Sequence, residues 1–210
     1  MTAPWPFSMW GMDVIGPINP KASNRHMFIL VAIDYFTKWI EAITLASVTT
    51  KAMARFLRRD VIARYGVLAT IITDNAKNLN NKVIDELCAQ FKIRHRNSTP
   101  YRPQTNGAVE AANKNIKIIE KMTVNYKDWH EMLPHALLEY RTSIRTSTGA
   151  TPYSLVYGME TVLSIEVEIP SMRILAEAEL AEAEWATQRY EQLNLIDDKR
   201  LKALCHGHKR

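Results

Sequence analysis

Cysteine is nearly missing: Cys88 and Cys205 are the only two in 210 residues, and they lie far apart. A disulfide framework and a Cys-x-x-Cys metal knuckle are therefore excluded, and a reducing, intracellular compartment is expected. No run of about 18 apolar residues occurs, and the opening Met1-Thr2-Ala3-Pro4-Trp5-Pro6 has no basic region leading into an apolar one. Neither membrane spanning nor secretion is expected. The seven glycines form no Gly-x-x-x-x-Gly-Lys loop, Gly-x-Ser-x-Gly elbow or Gly-x-Gly-x-x-Gly turn, which argues against nucleotide hydrolysis and serine catalysis. The offset between His130 and His135 does not put both on one helical face as a His-Glu-x-x-His zinc site requires. Cys205-His206-Gly207-His208 reads as a terminal tail rather than a metal site.

What is present is ordinary for a globular chain: 47% apolar and 23% charged residues, enough for one α/β core with an appendage. Lys and Arg exceed Asp and Glu by 27 to 22, a net charge of +5, which gives a mild attraction toward polyanions. Residues 8–16 alternate as a strand, with Trp10, Met12 and Val14 on one face and Gly11, Asp13 and Ile15 on the other. Met27 to Asp34 and Trp39 to Thr44 read as two further strands joined by a tight turn, so three antiparallel strands open the chain. From Thr49 to Tyr65 the apolar spacing is helical, with threonine available as N-cap and Gly66 as terminator. Ala69 to Thr73 reads as a strand, Asn81 as the cap of a helix running to about Phe91, and Ile93 as part of one more short strand. Asn97 to Gly107 is loop-like in composition, and helix resumes at Ala108. Thr151-Pro152 caps a short helix closed by Gly158, and residues 172–204 read as one long helix.

Three carboxylates have settings suited to metal-assisted phosphodiester chemistry, which needs acidic oxygens converging on divalent cations. Asp13 lies inside an apolar strand, where a metal would compensate its charge; Asp74 ends a strand; Glu110 opens a helix after a polar loop. Taken singly, each has an ordinary structural explanation: a buried pair with Arg, a turn, and a helix-dipole partner. Glu110, Lys114, Lys117 and Lys121 follow i, i+4, i+7, i+11 spacing and share one helical face, a row of ammonium groups suited to a phosphate backbone or, more plainly, a solvated lysine face. Lys92, Arg94, His95, Arg96 and Arg102 flank the polar loop and extend the same basic footprint.

These residues sit in motifs that resemble the integrase cores of long-terminal-repeat retrotransposons, particularly the Ty3/gypsy class. The resemblance rests on Trp10-Gly11-Met12-Asp13 with Gly16-Pro17, Asp34-Tyr35-Phe36-Thr37-Lys38-Trp39, Thr73-Asp74-Asn75, and Pro103-Gln104-Thr105-Asn106-Gly107 leading to Glu110-Ala111-Ala112-Asn113-Lys114. Tyr140-Arg141-Thr142, Arg145-Thr146-Ser147-Thr148-Gly149 and Thr151-Pro152-Tyr153-Ser154-Leu155-Val156-Tyr157-Gly158 extend it to about residue 170. The family carries two aspartates and a glutamate, the last two separated by 35 residues, as Asp74 and Glu110 are here. By matching motif, Asp13, Asp74 and Glu110 would be catalytic and would ligate two Mg²⁺ or Mn²⁺ ions. Asn106, Gly107, Asn113, Lys114, Lys117 and Lys121 would contact DNA.

The resemblance also implies an RNase H-like α/β fold: a five-stranded mixed sheet flanked by helices over residues 1–165, with a C-terminal helical extension or tail over 166–210. It further implies DNA integration by 3′-end processing and strand transfer, DNA as partner, homo-oligomers, and a nuclear location with a cytoplasmic phase. Two departures matter. Ala76 replaces the glycine usual after the Asp-Asn pair, and Leu79 stands where an aromatic is common. The chain begins just ahead of the first core strand, so the His-His-Cys-Cys zinc module that precedes such cores is not expected within it. The competing expectation is a catalytically inactive or host-adopted nucleic-acid-binding domain, and a third is a different RNase H-like nuclease acting on hybrids.

Overall fold

A computed structural model describes residues 3–73, 82–97, 128–163, 166, 169, 171, 174–176 and 180–208. The chain divides into two compact units, Met1–Tyr140 and Arg141–Arg210.

In the first unit, β1 (Met9–Ile15), β2 (Phe28–Asp34) and β3 (Ile40–Leu45) pair antiparallel, as their alternation predicts. β4 (Thr70–Thr73) runs parallel to β1 on its other side, and β5 (Arg94–Asn97) parallel to β4. The sheet order is β3-β2-β1-β4-β5, a five-stranded mixed sheet. The expected strand around Ile93 is present but starts one residue later and takes in Asn97.

Register assigns the faces, because residues opposite each other point the same way. One face carries Trp10, Met12, Leu30, Ala32, Asp34, Glu41, Ile71, Thr73 and His95. The other carries Gly11, Asp13, Ile15, Ile29, Val31, Ile33, Ile40, Ile72, Arg94 and Arg96. Leu30, Val31 and Ile33 are wholly buried, so β2, paired between β1 and β3, is covered on both sides. That explains its unbroken apolar run.

Parallel strands need a long crossover, and residues 46–69 supply it. Thr49 caps α1 (Thr50–Phe56) by accepting from the Ala52 amide, as expected. The helix continues through a π-helical turn (Leu57–Ile62) into α2 (Ala63–Tyr65) and ends at Gly66, where φ is 86°. Tyr65 stacks on Phe7 and packs against Trp10 at 5.3 Å, while its hydroxyl donates to Glu41. The crossover therefore lies on the Trp10 face. α3 (Lys82–Gln90) joins it there, since Asp85 reaches His95. α4 (Trp129–Thr142) buries Trp129, Leu133, Leu137 and Tyr140, and Trp129 Nε1 donates to Pro20 O at 3.2 Å.

Gly16 shows why one glycine is needed: its φ is 135°, and a Cβ there would lie 2.7 Å from Met27 O. A side chain would push β1 away from the entry to β2.

The turn from β2 to β3 is built on Asp34, which has no exposed surface. Its carboxylate accepts from the Phe7 amide at 3.1 Å, the Thr37 amide at 2.8 Å and the Thr37 hydroxyl at 2.7 Å. The Trp39 amide in turn donates to Thr37 Oγ1 at 3.1 Å, and Lys38, at φ 63°, donates from Nζ to Tyr35 O at 2.7 Å. This is the physical content of the Asp34-to-Trp39 motif: one carboxylate gathers donors from a turn and from the segment ahead of β1.

In the second unit, Thr151 caps α5 (Pro152–Tyr157) by accepting from the Ser154 amide at 3.0 Å, and Gly158 closes it in the left-handed conformation, both as the sequence indicates. The single long helix expected over 172–204 is not formed. α6 (Glu182–Asn194) and α7 (Ile196–His208) are separate, meeting at Leu195. Arg200 Nε donates to Leu155 O at 3.0 Å and Lys199 Nζ to Gly158 O, which fastens α7 to α5. α6 buries none of its residues. Asp197 and Asp198 restart the helix with acidic side chains in the first turn.

Burial pushes the Asp34 carboxyl up to about 6, against the opposing pull of its hydrogen bonds from Thr37, Phe7 and Phe36. A raised carboxyl means that the folded chain holds this proton more tightly than the unfolded one between about pH 4 and 6, so ionisation of Asp34 removes stability as pH rises through that window. Measured by urea unfolding against the non-titrating Asp34→Asn variant, the wild type should lose on the order of 3 kcal/mol of relative stability between pH 4 and 7. A flat difference would contradict the assignment.

Candidate active site

Asp13 stands on the fourth rung up from Met9 in β1, half-buried, on the face it shares with Gly11 and Ile15 and opposite Val31 in β2. Its Oδ1 accepts from the Val14 amide at 2.8 Å, a local bond that fixes the rotamer while leaving a carboxylate at the sheet surface. The environment differs sharply from that of Asp34 on the opposite face, which is enclosed by donors.

The parallel register is the informative geometry. Met9 lies opposite Thr70, Trp10 opposite Ile71, Gly11 opposite Ile72 and Met12 opposite Thr73. The last pair consists of the residues immediately ahead of Asp13 and of Asp74 in the chain. Asp74 and Glu110 themselves lie outside the described residues, as do Asn106, Gly107, Asn113, Lys114, Lys117 and Lys121, the cap Asn81, and the departures Ala76 and Leu79. Of the three carboxylates expected to converge, the structure thus locates Asp13. Among the described residues, no group of three His, Cys, Asp or Glu side chains could hold a metal ion.

Around the end of β4 the structure adds a feature that motif reading missed. Thr73 has no exposed surface, and its Oγ1 lies 2.9 Å from His95 Nε2. His95 Nδ1 is 3.2 Å from Asp85 Oδ1 in the first turn of α3. Thr73 Oγ1 also approaches Asn97 Oδ1 at 3.4 Å. His95, which composition grouped with the basic footprint, is therefore turned inward with its side chain only 11% exposed. Arg94 and Arg96 are exposed on the other face, where register puts Arg96 in line with Ile72 and Gly11. Two strand spacings separate Arg96 from β1, about 10 Å, so these guanidinium groups flank the Asp13 surface. A period of two along residues 94–97 separates the arginines from the histidine in the sequence itself.

Residues 3–103 match the family described as "Integrase core domain". The chain is 31% identical over 157 residues to the Gag-Pol polyprotein of avian reticuloendotheliosis virus, and 30% identical over 149 residues to the retrovirus-related Pol polyprotein from transposon 412 of Drosophila melanogaster. These matches take in 74% and 70% of the chain but 13% and 12% of the polyproteins, so the chain spans about an eighth of their length. Among solved structures, a chain of the simian T-cell lymphotropic virus intasome aligns with TM-score 0.63 and 23% identity, over 73% of this chain and 55% of that one. The catalytic core domain of BIV integrase aligns with TM-score 0.57 and 24% identity, over 70% of this chain and 92% of that one. The fold is RNase H-like, with the sheet and helices of an integrase catalytic core. This chain carries the integrase core domain of retroviral and retrotransposon Pol proteins.

Asp13→Asn retains the Oδ1 acceptor for the Val14 amide, so its thermal midpoint should stay within about 3 °C of wild type by circular dichroism. A larger fall would mean that the carboxylate is part of the packing of the sheet.

Proposed function

We propose that this chain is the catalytic core of a Ty3/gypsy-type retroelement integrase, a metal-dependent polynucleotidyl transferase that trims DNA ends and joins them to target DNA. The observation that carries the reading is the β1–β4 register, which sets Met12 opposite Thr73, one residue before each of two aspartates in the chain. Asp13, Asp74 and Glu110 are the proposed ligands. Asp13 suits a hard divalent cation by its chemistry: it is a half-buried carboxylate in β1 whose Oδ1 accepts from the Val14 amide. When bound, Mg²⁺ or Mn²⁺ supplies Lewis-acid stabilisation of charge developing on phosphate oxygens.

The chain's own contribution is placement. By their spacing in the sequence Lys114, Lys117 and Lys121 would share one helical face with Glu110, and they are proposed to take the phosphate backbone past the carboxylate. Asn106, Gly107 and Asn113 border that face in sequence and are proposed to position the reacting strand. The partners proposed are element ends, target DNA and further copies of this chain, in the nucleus with a cytoplasmic phase. The intasome relative supports assembly of this kind.

A second reading has one observation in its favour. Ala76 stands two positions after Asp74 where such cores carry glycine, and if positive φ is needed there, alanine costs on the order of 1 kcal/mol. That favours a binding domain without turnover.

An oligonucleotide nicking and joining assay in Mn²⁺ and Mg²⁺ separates the two. The enzyme reading expects metal-dependent product from wild type and a loss of at least about a hundredfold in Asp13→Asn and Asp74→Ala, both still folded. Absence of product from folded wild type would defeat it. For the lysine row, Lys114→Glu with Lys117→Glu should weaken DNA binding and lower the slope of log affinity against log salt by about 2, roughly 0.9 per phosphate contact. An unchanged slope would remove these lysines from the interface.

A further inference from the structure

We propose that His95 is a positioning residue for Asp74, acting through Thr73; this rests on the reading of Asp74 as a metal ligand. The imidazole touches two elements that the chain connects by residues 74–81. Its Nε2 meets Thr73 Oγ1 at 2.9 Å on the last residue of β4, and its Nδ1 meets Asp85 Oδ1 at 3.2 Å in the first turn of α3. One side chain thus fastens both flanks of the segment that begins with Asp74.

The hydrogen-bond roles follow from chemistry. An ionised carboxylate can only accept, so Nδ1 carries the hydrogen toward Asp85. Nε2 and the Thr73 hydroxyl share the second bond at 2.9 Å, closer than the 3.4 Å from that hydroxyl to Asn97 Oδ1. Asp85 orients the imidazole, and the imidazole fixes the side chain of Thr73, the residue that precedes Asp74 in the chain. The arrangement of hydroxyl, imidazole and carboxylate has the outline of a nucleophilic triad. Thr73 is fully buried, however, so its hydroxyl meets no substrate and its role is geometric.

The bond lies across the β4–β5 ladder: Thr73 pairs with Met12 of β1 on one side and with Asn97 of β5 on the other, and His95 adds a side-chain link from β5 to the residue that precedes Asp74. A displacement of about 1 Å in one metal ligand is enough to cost activity on the order of a hundredfold.

The test uses the 210-residue chain with His95→Phe, His95→Gln, Thr73→Val and Asp85→Asn. Amide hydrogen exchange is read at Thr73 and at Lys82 to Asp85, and Mn²⁺ affinity is read by titration of the free ion. His95→Phe and Thr73→Val should speed exchange at these amides by tenfold or more, with β1 and β2 amides unchanged, and should weaken Mn²⁺ binding by about tenfold. His95→Gln, whose terminal amide reaches the position of Nε2, should recover most of both, and Asp85→Asn should fall between. A role confined to global stability would instead raise exchange throughout the sheet. Should His95→Phe fail to fold, Thr73→Val and His95→Gln carry the comparison. If wild type binds Mn²⁺, loses it in Asp13→Asn, and the His95 and Thr73 variants match wild type in affinity and exchange, the positioning role is overturned and the proposed function stands. If wild type binds no Mn²⁺, the proposed function falls, and the exchange data alone then decide whether His95 holds the end of β4.

Discussion

The parallel pairing of β4 with β1 is the constraint on which the rest of the molecule depends. A hairpin cannot join parallel strands, so the chain must leave the sheet after β3, cross it and return, and residues 46–69 do so with a helix that covers the Trp10 face. The same pairing brings Thr73 beside Met12 and carries β5 to the outer edge. Shifting the register by one residue would invert every side chain in β4, taking Ile71 off the face where Tyr65 and Trp10 pack and turning Thr73 away from His95. Site geometry and core packing are thus set by one choice of alignment.

Two aspartates in this sheet show how the same residue type is put to opposite uses. Asp34 lies on the Trp10 face, wholly enclosed, with amide and hydroxyl donors from Phe7 and Thr37 directed at it. Its charge is consumed in holding a turn, and burial raises its proton affinity. Asp13 lies on the other face, half-buried, with a neighbouring backbone amide on one oxygen. A carboxylate saturated by internal donors has no lone pairs to offer a cation. The structural and the candidate catalytic aspartate are therefore told apart by burial and by the sheet face each occupies, not by residue type.

Much of this was legible in the sequence because it depends on local periodicity and local caps. β1 to β3 follow from alternation and unbroken apolar runs, and Thr49, Gly66, Thr151 and Gly158 mark helix ends by chemistry that acts over a few residues. Features that depend on partners far away in the chain were not legible. The division of the tail into α6 and α7 is one: Ala, Glu, Leu, Arg and Lys favour helix throughout, and the break at Leu195 goes with the fastening of Arg200 to Leu155 O. The π-helical turn at Leu57–Ile62 is another, since a local change of helical pitch has no compositional mark. α4 lay between, with Trp129, Leu133, Leu137 and Tyr140 at i, i+4, i+8 and i+11, a stripe that Pro134 obscures. Of the candidate site, the strand positions of Asp13 and of the residue before Asp74 are readable, and alternation separates His95 from Arg94 and Arg96, but which of the two faces turns inward depends on the packing of α3 and has no local mark.

The edge strand β5 shows why alternation matters more than composition there. A strand with one free edge exposes unpaired backbone groups and invites pairing with another chain, a hazard that charged side chains reduce. Arg94 and Arg96 place two fixed positive charges on the outward-facing side of this edge, while His95 and Asn97 are committed to the other side through Thr73. A second strand approaching β5 would have to bring its own side chains alongside two guanidinium groups, whereas a polyanion meets only attraction. The same four residues therefore discourage sheet extension and hold the Thr73 side chain. Both effects follow from the period of two that sends neighbouring side chains to opposite faces.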